Sequence, residues 1–181
     1  VIEEEPKGVQ HALNLARPHV EGSRILVYFS DNITTIEFTE AVSEFQAAQD
    51  PPGCRLVGRD VDDPGRFGVA VFDENGGLAD IIEKPKDPPS SFAIGGIYLF
   101  DETFWSRLDT AVGSNEGGVS ITDVNRTYVA EGSAKIIDWP DSLWIDCGTP
   151  DALLEAAKYA ESGRLSPLPC NLREGDYLPE S

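Results

Sequence analysis

The sequence predicts a mixed α/β domain. Apolar runs of strand length, such as ILVYF at 25–29 and FAIGGIYLF at 92–100, alternate with segments whose apolar residues recur at helical spacing. Between two such runs lies Glu74-Asn75-Gly76-Gly77, a turn signature, and Pro150 stands where a helix can begin.

The elements follow in order. Gly8 to Arg17 reads as a first helix and Arg24 to Phe29 as a first strand. Phe38 to Gln49 carries Phe38, Ala41, Val42 and Phe45 on one helical face and is cut off by Asp50-Pro51-Pro52-Gly53. A strand at Cys54 to Val61 comes next. Gly68 to Phe72 and Leu78 to Glu83 form a hairpin, because Asn-Gly supplies the positive φ of a tight turn. Phe92 to Phe100 is another apolar strand. Helices are expected at Glu102 to Leu108 and Thr122 to Glu131, and strands at Ala134 to Trp139 and Leu143 to Ile145. A last helix runs from Pro150 to Glu161. Residues 1–161 are therefore expected to form one domain and residues 162–181, with Pro167, Pro169 and Pro179, an irregular tail.

Composition sets the chemical context. The chain has 181 residues, 40% of them hydrophobic and 9% aromatic, enough for a substantial core. Thirty-two acidic residues against fourteen basic ones give a net charge of -18, which repels nucleic acid and anionic membranes over most of the surface. A phosphate-bearing ligand must then be met by a local concentration of cations. Cys54, Cys147 and Cys170 show no CxxC spacing, so neither a disulfide framework nor a zinc cluster is expected. VIEEEPKG at the start has neither a basic leader nor an apolar signal core, and no stretch suits a membrane span. The expectation is a soluble protein of the reducing cytoplasm.

Two carboxylates lie at the ends of apolar strands: Asp31 in ILVYFSDNI and Asp146 in SLWIDCGTP. In open α/β sheets ligands bind beyond the carboxyl ends of strands, so aspartates delivered there by separate strands could share a divalent cation. Magnesium suits such a pair, since it takes one or two carboxylates and fills its shell with water and phosphate oxygens. Taken alone, each aspartate also reads as the cap of a turn or of the following helix.

Several ordered motifs narrow the choice: EEEPKGVQHAL at 3–13, YFSDNI at 28–33, RFGVAVFDENGGLADIIEKPKDPPS at 66–90, FAIGGIYLFD at 92–101, ITDVNRTYVAEG at 121–132 and WIDCGTPDALLEA at 144–156. In their order and spacing they resemble the sugar-1-phosphate nucleotidyltransferases, most closely the glucose-1-phosphate thymidylyltransferases. The resemblance implies a Rossmann-like (GT-A-like) mixed sheet flanked by helices. It also implies transfer of a nucleotidyl group from a nucleoside triphosphate, dTTP first, to a sugar 1-phosphate, glucose 1-phosphate first, with release of pyrophosphate. By the same resemblance Asp31 and Asp146 would hold Mg2+, and Lys84 would neutralise the sugar phosphate. Glu83 would accept hydrogen bonds from sugar hydroxyls, and Gly68 would leave room for the sugar. Ile94 and Tyr98 would line the sugar pocket and Gly8 would pack against the base. Asn32, beside Asp31 in the same motif, joins the substrate-binding set. Ordinary roles remain open: a solvated Glu83–Lys84 pair, a strand irregularity at Gly68, core packing for Ile94 and Tyr98, and a surface or core place for His11.

The sequence departs from the family at three places. No GGxGTRLxPxT stretch occurs; Gly76-Gly77, Gly95-Gly96 and Gly117-Gly118 are followed by other residues. The first strands of the sheet and most of the triphosphate site are therefore expected to be missing. Glu3 stands where a glutamine would read the base, and an ionised glutamate can only accept. Gly118 and Ser120 replace acidic residues before ITD, and Ser30 replaces the glycine before DN. The chain is thus expected to carry the sugar-phosphate and metal half of an enzyme, either as a piece of a longer protein or completed by homo-oligomerisation or by a chain supplying the missing strands. The alternative is a non-catalytic sugar-phosphate-binding or partner-binding module.

Overall fold

Phe92–Phe100, strand β6 of the computed structural model, is paired along both edges and buried at all nine positions, so both of its faces are covered. The structure describes residues 8–49, 51–114, 119–139 and 142–165. Glu3, Gly117-Gly118, Cys170 and the expected tail from 166 onward lie outside the described residues.

Along one edge of β6 runs the antiparallel strand β3 (Cys54–Asp60), which is followed outward by β7 (Ala134–Asp138), parallel to β3. The opposite edge is shared. β1 (Ile25–Tyr28) pairs with Ile97 to Phe100, and β4 (Gly68–Phe72) pairs with Ala93 and Ile94. β5 (Leu78–Glu83) closes a hairpin on β4. β2 (Asn32–Thr34) and β8 (Trp144–Asp146) make a separate antiparallel ribbon. Five α-helices complete the described fold: α1 (Val9–Val20), α2 (Thr39–Ala47), α3 (Phe104–Ser114), α4 (Ile121–Ala130) and α5 (Pro150–Glu161).

The core lies between the sheet and helices α3 and α4. Phe100 packs on Phe104 at 4.5 Å between ring centroids and stacks on Tyr128 at 5.7 Å. Burying such side chains contributes about 1.5–3 kcal/mol each. Asp101 is buried beneath them but has partners: it accepts hydrogen bonds from the Gly53 N–H, the Thr103 N–H and the Tyr128 hydroxyl. Burial and the Asp101 charge push the Tyr128 phenol well above its usual range, even with Thr103 and Arg107 opposing, so it remains a donor. Cys54 is buried under the same layer, which pushes its thiol up to about 12.

Departures from the expected elements have local causes. α1 runs through Pro18 to Val20, a turn beyond Arg17, and Arg17 ties that turn down with hydrogen bonds of 2.8 and 3.0 Å to Asp109. α3 starts at Phe104 rather than Glu102, because Asp101 turns the chain through Thr103. It continues past Leu108 because Ala111 stays buried on the same face. The hairpin turn draws its positive φ from Gly76 alone, with the Asp73 carboxylate accepting the N–H groups of Asn75 and Gly77. α2 ends where Arg24 donates to the carbonyls of Phe45, Gln46 and Ala48, groups a helix terminus otherwise leaves unpaired. Strand β2 and a short 3-10 turn at Pro64–Arg66 were not expected from periodicity.

Among the described residues, β1 pairs with β6 alone, and its outward Leu26 and Tyr28 are 45% and 41% exposed. No helix among them is long and apolar enough to cross a membrane.

Candidate active site

Strand register builds one wall of the site. Gly68 on β4 stands opposite Glu83 on β5 and opposite Ile94 on β6, so the three share one face of the sheet. Tyr98, four residues further along β6, returns to that face. A Cβ at Gly68 would lie 3.3 Å from Thr122 Oγ1 and 3.5 Å from Glu83 Oε2, so glycine keeps this surface concave. The Thr122 hydroxyl donates to Glu83 Oε2 at 2.5 Å and fixes the carboxylate, leaving Oε1 toward Lys84, whose Nζ is 3.8 Å away. Burial first, and then the Glu83 charge, hold the Tyr98 phenol above its usual range, so it stays neutral.

Lys84 occupies an unusual backbone conformation. Its φ is 43°, the one positive value outside glycine among the described residues. A side chain in this left-handed region costs about 1–3 kcal/mol, which the surroundings must hold in place. They do so through the Lys84 N–H, which donates to the Phe67 carbonyl at 2.9 Å. The kink ends β5 and delivers the lysine to the cavity.

The β2–β8 ribbon builds the facing wall. Asn32 pairs directly with Asp146, and the Cys147 N–H donates to the Asp31 carbonyl at 2.7 Å; both aspartates line the same cavity. Asn32 is 2% exposed and its amide is committed internally: Nδ2 donates to Asp31 Oδ1 at 2.8 Å, while Oδ1 accepts from Trp144 Nε1 at 2.6 Å and from the Gly96 N–H at 3.3 Å. Asp146 Oδ1 accepts the Gly148 N–H at 3.0 Å. Each carboxylate thus has one oxygen held and a second with no hydrogen-bond partner among the described residues, a pair able to hold a divalent cation. No cluster of three or more His, Cys, Asp or Glu suited to a metal occurs among the described residues.

Eight of the nine sequence candidates line one cavity of about 670 Å³: Asp31, Asn32, Gly68, Glu83, Lys84, Ile94, Tyr98 and Asp146. Gly8 does not; it caps α1 at φ 92°, and its neighbour Val9 faces the cavity instead. Sequence reading missed Arg66, Phe67, Thr122 and Trp144. It also missed the work of Gly95 and Gly96. A Cβ at Gly95 would meet the Trp144 ring at 3.0 Å, and one at Gly96 would meet Asn32 Nδ2 at 2.7 Å. Paired glycines inside an apolar strand are a signal of close approach.

A family model described as nucleotidyl transferase matches residues 1–163. The chain belongs to the nucleotidyl transferase family. It is 32% identical over 163 residues to a glucose-1-phosphate thymidylyltransferase of Neisseria gonorrhoeae, covering 89% of this chain and 56% of that protein. It is 29% identical over 156 residues to a low-salt glycan biosynthesis nucleotidyltransferase of Haloferax volcanii, covering 86% of this chain and 43% of that protein. A Bacillus anthracis structure named for glucose-1-phosphate thymidylyltransferase, in complex with a sucrose, superposes with a TM-score of 0.78 at 33% identity over 88% of this chain and 63% of the other. The fold is shared with UDP-glucose pyrophosphorylase, with a TM-score of 0.72 at 21% identity over 91% of this chain and 66% of the other. The curled mixed sheet flanked by helices is thus the Rossmann-like sheet of nucleotidyl transferases, as the motifs led one to expect. This chain spans about half the length of the curated relatives it matches.

Proposed function

We propose that this chain carries the sugar-phosphate and metal half of a nucleotidyl transferase site. The reaction joins dTTP to glucose 1-phosphate: an oxygen of the sugar phosphate bonds to the α-phosphorus of the nucleotide, the bond to the β-phosphate breaks, and pyrophosphate leaves. The observation that carries this reading is the juxtaposition, across one cavity, of the Asp31–Asp146 pair and the Glu83–Lys84 pair.

The residues divide the work by chemistry. Glu83, fixed by Thr122, accepts hydrogen bonds from two neighbouring sugar hydroxyls through its oxygens. Gly68 gives the ring its space, with Ile94 and Tyr98 as the apolar floor. Lys84 places a cation against the phosphate, which offsets repulsion between the two reacting anions. Asp31 and Asp146 fit Mg2+, because two carboxylates with free oxygens leave the rest of its shell to water and phosphate. When bound, the ion screens the charge that builds on the leaving group. Asn32 acts behind Asp31, orienting it and locking it to Trp144. The free thiols of Cys54 and Cys147 suit a reducing cytoplasm.

Turnover requires a triphosphate-binding segment, and the outer edge of β1 is a place where it could join as an added strand, whether from a longer form of the same polypeptide, another copy or another chain. That edge also supports the second reading, a non-catalytic sugar-phosphate-binding or partner-binding module. Pyrophosphate release from dTTP or UTP with glucose 1-phosphate and Mg2+, measured with and without a supplied glycine-rich amino-terminal segment, separates them. The enzyme reading expects release only with the segment; none in either case favours the binding module. Sedimentation should find an oligomer or a complex with the segment.

A further inference from the structure

The cavity is poor in positive charge for the ligand proposed for it. Asp31, Glu83 and Asp146 outnumber Arg66 and Lys84, in a chain of net charge -18, and a sugar monophosphate adds about -1.5 to -2 more. Lys84 sits against Glu83 on the sheet wall. Arg66 ends the 3-10 turn Pro64–Arg66, one residue before Phe67, whose carbonyl accepts the Lys84 N–H, and 45% of its side chain is exposed. Its Nη2 is 4.0 Å from Asp146 Oδ1, within ion-pair reach but beyond a hydrogen bond, and that oxygen already accepts the Gly148 N–H at 3.0 Å. The guanidinium lies 5.6 Å from the Phe67 ring centroid, and Phe67 is itself packed 5.2 Å from Trp144, so an aromatic face flanks Arg66 at the cavity.

Resting on the reading above, we propose that Arg66 grips the phosphate of the ligand. Without ligand it is parked on Asp146, one of the two carboxylates suited to the cation. With that carboxylate engaged by a cation, the planar fork of Arg66 would be released to two non-bridging phosphate oxygens, adding its charge to that of Lys84, which lines the same cavity. Arginine suits this place because its donors are paired and coplanar, whereas lysine offers a point charge.

Calorimetric titration of the 181-residue chain tests this, with glucose 1-phosphate in the presence of Mg2+ and with Mg2+ alone, for the native chain, Arg66→Gln and Arg66→Lys. The expected result is a loss of glucose 1-phosphate affinity of about tenfold or more in Arg66→Gln and a smaller loss in Arg66→Lys. For Mg2+ alone the expectation has the opposite sign, with Arg66→Gln binding about 1.5–5-fold more tightly because a half-exposed ion pair no longer competes. Native-like glucose 1-phosphate affinity in Arg66→Gln overturns the proposal while leaving the nucleotidyl transferase reading intact. Parallel loss of sugar phosphate and Mg2+ also overturns it, since that would mark a structural arginine. A native chain that takes up no glucose 1-phosphate with Mg2+ overturns both.

Discussion

One wall of the cavity is pleated sheet, where Glu83, Gly68 and Ile94 stand opposite one another on three hydrogen-bonded strands and cannot move without breaking the ladder. The other wall is a ribbon of two three-residue strands, where Asp31 is held by the side chain of Asn32, which also binds Trp144 and the backbone of Gly96, and Asp146 accepts the Gly148 N–H. The sheet wall is positioned by many repeated backbone bonds, the ribbon wall by a short run of backbone bonds and a few side-chain bonds. The first should lose ligand binding with little loss of fold; the second should lose both together.

Asn32→Ala should have the largest effect. Removing the amide strands the Trp144 N–H and the Gly96 N–H in a buried place and releases Asp31, so stability should fall by about 3 kcal/mol in urea and Mg2+ affinity should fall with it. Unchanged Mg2+ binding in a folded Asn32→Ala chain would break the contrast between the walls. Gly96→Ala comes next. Its Cβ would stand 2.7 Å from Asn32 Nδ2 and 2.8 Å from Phe29, an overpacking that costs about 1–3 kcal/mol. Its effect should be sub-additive with Asn32→Ala in a double-mutant cycle.

On the sheet wall, Gly68→Ala meets Thr122 Oγ1 at 3.3 Å, a contact that a small shift relieves. The cost to stability should stay below about 1.5 kcal/mol, while the methyl group occupies sugar space and abolishes measurable glucose 1-phosphate binding. Lys84→Gly should give the smallest change in stability, between no change and a gain of about 1 kcal/mol, because glycine tolerates the left-handed backbone at φ 43°. Affinity for the sugar phosphate should nevertheless fall about tenfold. Thermal melts paired with calorimetry read both quantities.

The two walls were also unequally legible in the sequence. β6 announces itself as nine consecutive residues of strand length, and the Glu83, Gly68 and Ile94 motifs fall on strands whose register follows from the hairpin. The ribbon does not. Asn-Ile-Thr is too short and too polar to register as a strand by alternation, and its pairing depends on Trp144-Ile145-Asp146, more than a hundred residues away. Arg66 carried no signal, since one arginine after Asp-Pro-Gly reads as turn surface; only the fold brings it to Asp146. Gly95-Gly96 reads in sequence only as a glycine pair lacking the phosphate-loop pattern, whereas in the fold it admits Trp144 and Asn32 against a strand. Lys84 was recognised by its motif, but its left-handed backbone was invisible, because nothing in side-chain pattern reports a non-glycine at positive φ.

Under the proposed function the two walls act on one ligand. Titrating glucose 1-phosphate into the chain with and without Mg2+, for the native protein and for Asp146→Asn, measures that coupling most directly. The expected result is saturable binding that Mg2+ strengthens, with the strengthening lost in Asp146→Asn. Binding of equal strength with and without Mg2+, or a Mg2+ effect that survives Asp146→Asn, would contradict it.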